Sequence, residues 1–364
     1  LPNLFNEIFS MENLKAAYQK SLKGGGKYKN ESLRFQRNEA VNLKALRESI
    51  HNKTYRFGGY KEFTVYEPKE RVINAPYYKD KIIQLALIER LNPIFEKSFI
   101  KESYACMVDK GTHAAVNQVQ NNLRGAYRNY GSDAYILKGD VSKFFYSIDR
   151  EILKKIYRKK IKDENVLWVM DLIVDSGDLI SEKGLPLGNS LSQLCANIYL
   201  NEFDQYAKRC LQYKYYVRYA DDVVVILPKK GTAKRAKTEF ENFLINHLNL
   251  KPNPKKTQIF PIKQGVNAYG YKIYKTHRLL RNESKKKIKR KIKAMPWLIG
   301  QGRMSINKAN EMLGSWQGHA EHASSRNFMQ GIANKRPFIS IENGVLKINE
   351  EELNCYIEKI VNTD

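Results

Sequence analysis

The chain of 364 residues is 42% hydrophobic, enough to bury two or three packed units, which excludes a disordered protein. Its 63 basic against 38 acidic residues leave a formal charge of +25, an excess that solubility does not require. A polyanionic partner is implied, nucleic acid ahead of an anionic membrane surface, and 23 tyrosines, many beside Lys or Arg, suit such a partner as well as ordinary packing.

Residues 1–50 read as a basic helical extension. Met11–Tyr18 has the pattern of an amphipathic helix that ends in Lys23-Gly24-Gly25-Gly26-Lys27. Those glycines are a flexible break or a phosphate-contacting loop, but no P-loop, since no strand precedes them and no G-K-[ST] follows. A second helix, about Glu39 to Ile50, carries apolar Val41, Leu43, Leu46 and Ile50. Tyr60–Pro76 reads as two strands with a turn at Pro68, and the two-residue period sets Lys69 and Arg71 on one face, as a phosphate clamp or a solvated basic edge. Residues 80–96 read as a helix stopped by Pro93, and Thr112 to Leu123 as another.

From Ala134 an apolar strand runs to its end at Asp140, followed by an aromatic turn and a helix that starts near Asp149, a residue suited to cap it. With the cap supplied, Asp140 is left for a metal. Gly184–Gln193 is a tight loop feeding a helix with Leu191, Leu194, Cys195 and Ile198 on one buried face. Ser190 and Gln193 fit a capping box, which competes with a binding role for Gln193. Gly188 allows a backbone conformation, or a ligand approach, that a side chain would block.

Tyr215–Leu227 is the stretch around which the chain is organised: two β-branched and aromatic runs flank Asp221-Asp222, so two short strands carry both acids at their turn. Paired buried carboxylates repel, a divalent cation resolves the conflict, and hard oxygen ligands favour magnesium. Taken alone, a solvated Asp-Asp turn fits the residues equally well. Thr232 to Leu248 follows as a helix with Ala233, Ala236, Phe240, Phe243 and Leu244 inward, then a basic loop over 250–257 and strands around Ile259 and Tyr269–Ile273. Strand, helix, hairpin, helix, strand is an α+β order with a mainly antiparallel sheet. From about residue 276, Ser284–Ile299 sets Ile288, Ile292, Met295 and Ile299 on one helical face. The rest of that helix carries Lys285, Lys286, Lys287, Lys289, Arg290, Lys291 and Lys293 without an acid, which favours docking on phosphates over a solvated face. His319 and His322 lack further ligands and read as packing or nucleic-acid contacts, ahead of a hairpin near Phe338 to Ile348. Cys106, Cys195, Cys210 and Cys355 are scattered and read as reduced thiols of a cytoplasmic protein; no membrane-spanning run or signal-peptide pattern occurs.

One acid at a strand end and two on a hairpin are the minimum for two Mg2+ ions, and with the basic charge they point to nucleotidyl transfer on a nucleic-acid primer. Tyr219-Ala220-Asp221-Asp222, with Asp140 and an aromatic five residues after it, resembles the palm of reverse transcriptases. Lys69-x-Arg71-x-Ile73-x-x-Pro76 resembles their fingers motif, Gly184-Leu185-Pro186-x-Gly188-x-x-x-Ser192-Gln193 their pocket loop, and Asn253-Pro254-x-Lys256-Thr257 their palm lysine motif. The resemblance implies a right-hand polymerase with a basic extension over 1–50, fingers and early palm over 51–130, palm over 131–275 and a basic helical thumb over 276–364.

It also implies roles. Asp140, Asp221 and Asp222 would be catalytic and, with Val141, would form the metal site for two Mg2+ ions, Mn2+ being an alternative. Lys69 and Arg71 would hold the dNTP triphosphate, Phe145 would exclude a ribose 2′-hydroxyl, and Leu187, Gly188 and Gln193 would line the nucleotide pocket. Lys256 would sit near the leaving pyrophosphate, with Lys255 an equally basic neighbour. Tyr219, Lys285, Lys286, Lys289, Arg290 and Lys293 would contact the template RNA and the RNA/cDNA duplex. Leu187-Gly188 replaces the usual Gln-Gly, and Ser192-Gln193 the usual Ser-Pro. Together with Ser315-x-x-Gly318-His319-x-x-His322-Ala323, that form is similar to the reverse transcriptases of diversity-generating retroelements. Those are bacterial or phage-encoded enzymes, error-prone at adenines, that work with a small basic pentameric accessory protein. A phage-defence reverse transcriptase, copying a dedicated RNA or no template, is the alternative.

Overall fold

A computed structural model describes residues 3–66, 70–177 and 182–361, the side chains of Ile360 and Val361 excepted. The expected turn at Pro68 and the candidate Lys69 lie outside the described residues.

In chain order the elements begin with four helices, α1 (Leu4–Ile8), α2 (Met11–Ser21), α3 (Asn30–Arg37) and α4 (Glu39–His51). Ser10 caps α2 by accepting from Asn13 N, and the triple glycine opens a single 3₁₀ turn, Gly24–Tyr28, whose Gly26 carbonyl takes the Ser32 hydroxyl. Val41 is not a core residue: it is 69% exposed on α4, while Leu43, Leu46 and Ile50 are buried. Strands β1 (Tyr60–Val65) and β2 (Arg71–Pro76) pair antiparallel, with Val65 opposite Arg71.

Helix α5 (Tyr78–Glu96) runs through Pro93 instead of stopping there. Proline frees the carbonyl four residues back, here that of Glu89, and both residues lie on the exposed face where water serves it; buried Phe95 fixes the last turn. Helix α6 (Thr112–Tyr130) is longer than its apolar stripe. Then come β3 (Tyr135–Gly139), the single turn α7 (Phe144–Ser147), α8 (Arg150–Arg158), α9 (Glu164–Val174) and α10 (Ser190–Gln205). Asp149 caps α8 as expected, accepting from Ile152 N at 3.1 Å. For α10 the cap is Asn189, not Ser190: the Asn189 Oδ1 accepts from Leu191 N at 2.9 Å, so the box of Ser190 and Gln193 does not form.

The hairpin β4 (Tyr215–Tyr219) and β5 (Asp222–Leu227) precedes α11 (Lys230–Leu248), β6 (Gln258–Pro261), β7 (Val266–Ala268), β8 (Tyr271–Ile273) and β9 (Arg278–Leu280). The chain closes with α12 (Asn282–Gly300), α13 (Ile306–Ala320), α14 (Arg326–Ala333), the hairpin β10 (Ile339–Glu342) and β11 (Val345–Ile348), and α15 (Glu350–Val361).

The chain divides into two compact units. One comprises Leu1–Gly111, Leu137–Val225 and Gly231–Ile259. It holds β4 and the larger part of β5 and β3 in the sheet of order β4-β5-β3-β6, with buried Val217, Val223, Val224 and Val225 on these strands. Gly139 ends β3 where a Cβ would lie 2.7 Å from the Phe240 ring, so its lack of a side chain lets α11 close over the strand. The other unit comprises Thr112–Ile136, Ile226–Lys230 and Phe260–Asp364. There α6 packs on the three-stranded sheet β7-β8-β9, and Ile288, Ile292, Met295, Leu313, Phe338 and Leu353 share one core. Among the described residues no helix is long and apolar enough to cross a membrane, and all four cysteines are free thiols.

Candidate active site

Asp140 leaves the end of β3 only 2% exposed, and the basic loop after α11 encloses it. Its Oδ1 accepts from Asn253 Nδ2 at 2.9 Å and its Oδ2 from Lys256 Nζ at 2.6 Å. Its carbonyl takes Asn253 N at 2.8 Å and Thr257 Oγ1 at 3.2 Å. The next residue, Val141, bridges Pro252 and buries its side chain, leaving only its backbone carbonyl for a cation.

Asp221 and Asp222 stand at the β4–β5 turn, where Ala220 adopts φ +52°, a left-handed conformation uncommon for a residue with a side chain. Lys138 Nζ approaches Asp222 Oδ1 at 3.4 Å. Burial, then the charge of Asp222, then that of Asp140, push the Asp221 carboxyl up to about 6. Burial alone would lower Lys256, but its hydrogen bond to Asp140 and the pull of all three aspartates outweigh it and hold it charged. Asp140, remote in sequence, thus shares one field with the adjacent pair Asp221 and Asp222.

Among the described residues no three His, Cys, Asp or Glu side chains already converge as a metal cage. Lysine ammonium groups lie against two of the carboxylates instead. The donor set still fits a hard divalent cation: three carboxylates within reach of one another's charge, one of them reluctant to ionise because it is buried and stands beside the other two.

Phe145 lies partly buried on α7, its ring 5.5 Å from that of Phe144, and its carbonyl accepts from Leu185 N at 2.7 Å. That bond ties the aromatic turn to the loop before α10. Farther along the loop, the Leu187 carbonyl accepts from Asn74 N of β2 at 2.6 Å. Gly188 has φ +99°, and a Cβ there would lie 2.7 Å from Ile73 Cγ2 and 3.1 Å from the Asn74 carbonyl. The left-handed backbone and the close approach that a glycine permits are both seen here, the approach being made by β2. Leu187 is partly buried, Gln193 is exposed in the first turn of α10, Arg71 is exposed at the start of β2, and Tyr219 is partly buried at the end of β4.

In the second unit Lys286, Lys289, Arg290 and Lys293 are exposed along α12 and Lys285 is partly so. The ammonium groups of Lys285 and Lys289 stand 5.6 and 5.2 Å from the Phe328 ring centre. His319 bonds the Tyr271 hydroxyl through Nδ1 at 2.8 Å and His322 stacks on His113 at 3.6 Å, so both histidines pack as expected.

Sequence reasoning missed Arg218, which is fully buried behind the Asp221 turn on Asp204. The signal was present: a cation inside the apolar run Tyr215-Tyr216-Val217-Arg218 needs a buried acid.

Three carboxylates at strand ends of an inner part of the sheet, in a cationic protein of the α+β class, suit nucleotidyl-transfer chemistry. A family model described as reverse transcriptase (RNA-dependent DNA polymerase) matches residues 61–273, more than half of the chain. The chain belongs to the reverse transcriptase family, and its class of chemistry is RNA-directed DNA synthesis. It is 27% identical over 291 residues to Protein YkfC of Escherichia coli K12, covering 68% of this chain and 73% of that protein. It is 24% identical over 273 residues to the group II intron-encoded protein LtrA of Lactococcus lactis, covering 56% of this chain but 44% of that protein. Apo telomerase from Candida tropicalis, truncated from its C-terminal domain, aligns with a TM-score of 0.46 at 13% identity over 61% of this chain and 55% of that one.

Proposed function

We propose that the chain is the reverse transcriptase of a diversity-generating retroelement, copying a template RNA into cDNA with errors at adenines. Asp140, Asp221 and Asp222, with the Val141 carbonyl, would hold two Mg2+ ions, or Mn2+ in their place. Bound there, the ions would lower the pKa of the primer 3′-hydroxyl and offset charge on the transferring phosphoryl group. Lys256 stands over Asp140 with its charge secured, suited to the departing pyrophosphate. Arg71, with Lys69, would take the triphosphate. Phe145 would press on the sugar and favour dNTP over NTP.

The observation that carries the mutagenic reading is the anchored Leu187–Gly188 turn. Its backbone is fixed to β2 through Asn74, and it carries an aliphatic side chain where most reverse transcriptases have an amide. Loss of that amide removes hydrogen bonds near the templating pair and loosens discrimination. A bacterial or phage host, and a small basic pentameric accessory protein, belong to the same reading.

The test is primer extension on an adenine-containing RNA with Mg2+ and dNTPs, followed by cDNA sequencing, with the cognate RNA and accessory protein added in a second arm. Errors concentrated opposite adenine, reduced by Leu187→Gln, are expected, and Asp221→Ala should abolish synthesis while RNA binding persists. Faithful or template-free DNA in both arms would instead favour a phage-defence enzyme.

A further inference from the structure

Among the described residues, Arg218 is the largest side chain fully removed from solvent, in a strand whose other buried side chains are apolar or tyrosine. Its Nε lies 2.8 and 2.9 Å from the two Asp204 oxygens and its Nη2 2.7 Å from Oδ2, a bidentate pair at 1% and 0% exposure. Tyr216 donates its hydroxyl to the same carboxylate at 2.6 Å. One guanidinium nitrogen is turned away from Asp204: Nη1 donates to Asn197 Oδ1 at 3.1 Å and to the Ala220 carbonyl at 3.0 Å. On its backbone, Arg218 N donates to Glu102 O and Arg218 O accepts from Tyr104 N, so residues 102–104 fasten the strand from outside.

A buried ion pair is a weak source of stability, because desolvation offsets most of the attraction. Its geometry here has a different product. Ala220 is the residue in the left-handed conformation, it directly precedes Asp221, and its carbonyl faces inward onto a planar guanidinium that Asp204 and Asn197 hold from two other sides. A turn in that conformation persists where its surroundings fix it.

We propose that Asp204 and Arg218 are positioning residues for catalysis: by anchoring the Ala220 carbonyl they fix the turn that presents Asp221 and Asp222. Neither residue touches the reacting atoms. The inference rests on the family's chemistry and not on the mutagenic reading, so failure of one leaves the other standing.

Two variants test it, each measured for melting temperature, binding of an RNA/DNA duplex, kcat and KM for dNTP, and half-saturating Mg2+. Arg218→Lys keeps the charge but lacks the planar fork needed for Asp204 and Ala220 together. It should lower kcat by on the order of 10²-fold, the usual scale for a slight misplacement of reacting groups. KM for dNTP and duplex binding should hold, and more Mg2+ should be required. The double variant Asp204→Leu with Arg218→Met replaces the pair by apolar groups of similar size, an exchange that buried pairs tolerate. It deprives the Tyr216 hydroxyl, Asn197 Oδ1 and the Ala220 carbonyl of these partners, so it should melt lower than wild type yet fold, and stay as slow as Arg218→Lys. Wild-type kcat in either folded variant would overturn the proposal. So would failure of both to fold, since the pair would then serve folding alone.

Discussion

Asp221 is where fold stability and chemistry oppose each other. Its carboxyl titrates near 6 instead of 3.8, because burial and the charges of Asp222 and Asp140 disfavour ionisation. A carboxyl raised above its unfolded value keeps its proton longer in the folded chain. Between about pH 4 and 6 the unfolded state therefore ionises first, and stability falls as pH rises through that window. Asp221→Asn removes this effect. In metal-free buffer it should match wild type near pH 4 and exceed it by about 1–2 kcal/mol above pH 6, a figure discounted for the partial exposure of the group. Denaturant melts at a series of pH values check the sign, and a gap that widens toward low pH would contradict it. The same variant should make no cDNA. Added Mg2+ should stabilise wild type more than the variant, since the ion offsets the repulsion that Asn lacks.

At the scale of elements, the loop before α10 is set by its packing on β2. Gly188→Ala must hold φ +99° with a methyl group 2.7 Å from Ile73 Cγ2, so either the loop or the hairpin has to move. The expected loss is about 1–3 kcal/mol, read as a lower urea midpoint at unchanged slope. Polymerisation should slow further, because the Asn74–Leu187 bond lies one residue away. An alanine variant equal to wild type in both measurements would mean that β2 does not hold the loop. Where period and propensity act locally, the sequence was readable: β4, β5, α11, the cap at Asp149 and the apolar stripe of α12 lie where their residues suggested. It misled where a neighbour decided the outcome. Pro93 sits inside α5 because its side faces water, Asn189 takes the cap that Ser190 was suited for, and Val41 lies off the buried stripe of α4. Short polar α3 has no long periodic pattern to betray it. That Asp140 shares a field with Asp221 and Asp222 agrees with the grouping their positions suggested, but the ties from Asn253 and Lys256 to Asp140, and from Arg218 to Ala220, join residues remote in sequence or hidden in a strand.

For the molecule as a whole, the dominant fact is a formal charge of +25, and its use can be separated from its mere presence. Each phosphate neutralised by a protein cation releases counterions, so log affinity falls with log salt by roughly one unit of slope per neutralised phosphate. Lys286, Arg290 and Lys293 are exposed on α12 with no acid in the run from Lys285 to Lys293, whereas Lys285 and Lys289 also lie over the Phe328 ring. Changing Lys286, Arg290 and Lys293 to Gln should weaken RNA/DNA binding at low salt and flatten the slope by roughly 1 for each phosphate left without its cation. Lys308 provides the comparison, because its ammonium is already 2.9 Å from Glu311 on α13. Lys308→Gln lowers the net charge by one yet should leave the slope unchanged. Equal effects per charge from both sets would mean that only the overall field attracts nucleic acid. No effect from the triple variant would make α12 a solvated face. A flattened slope confined to the triple variant, measured by titrating one labelled duplex across a salt series, would identify that helix as a surface on which the phosphates lie.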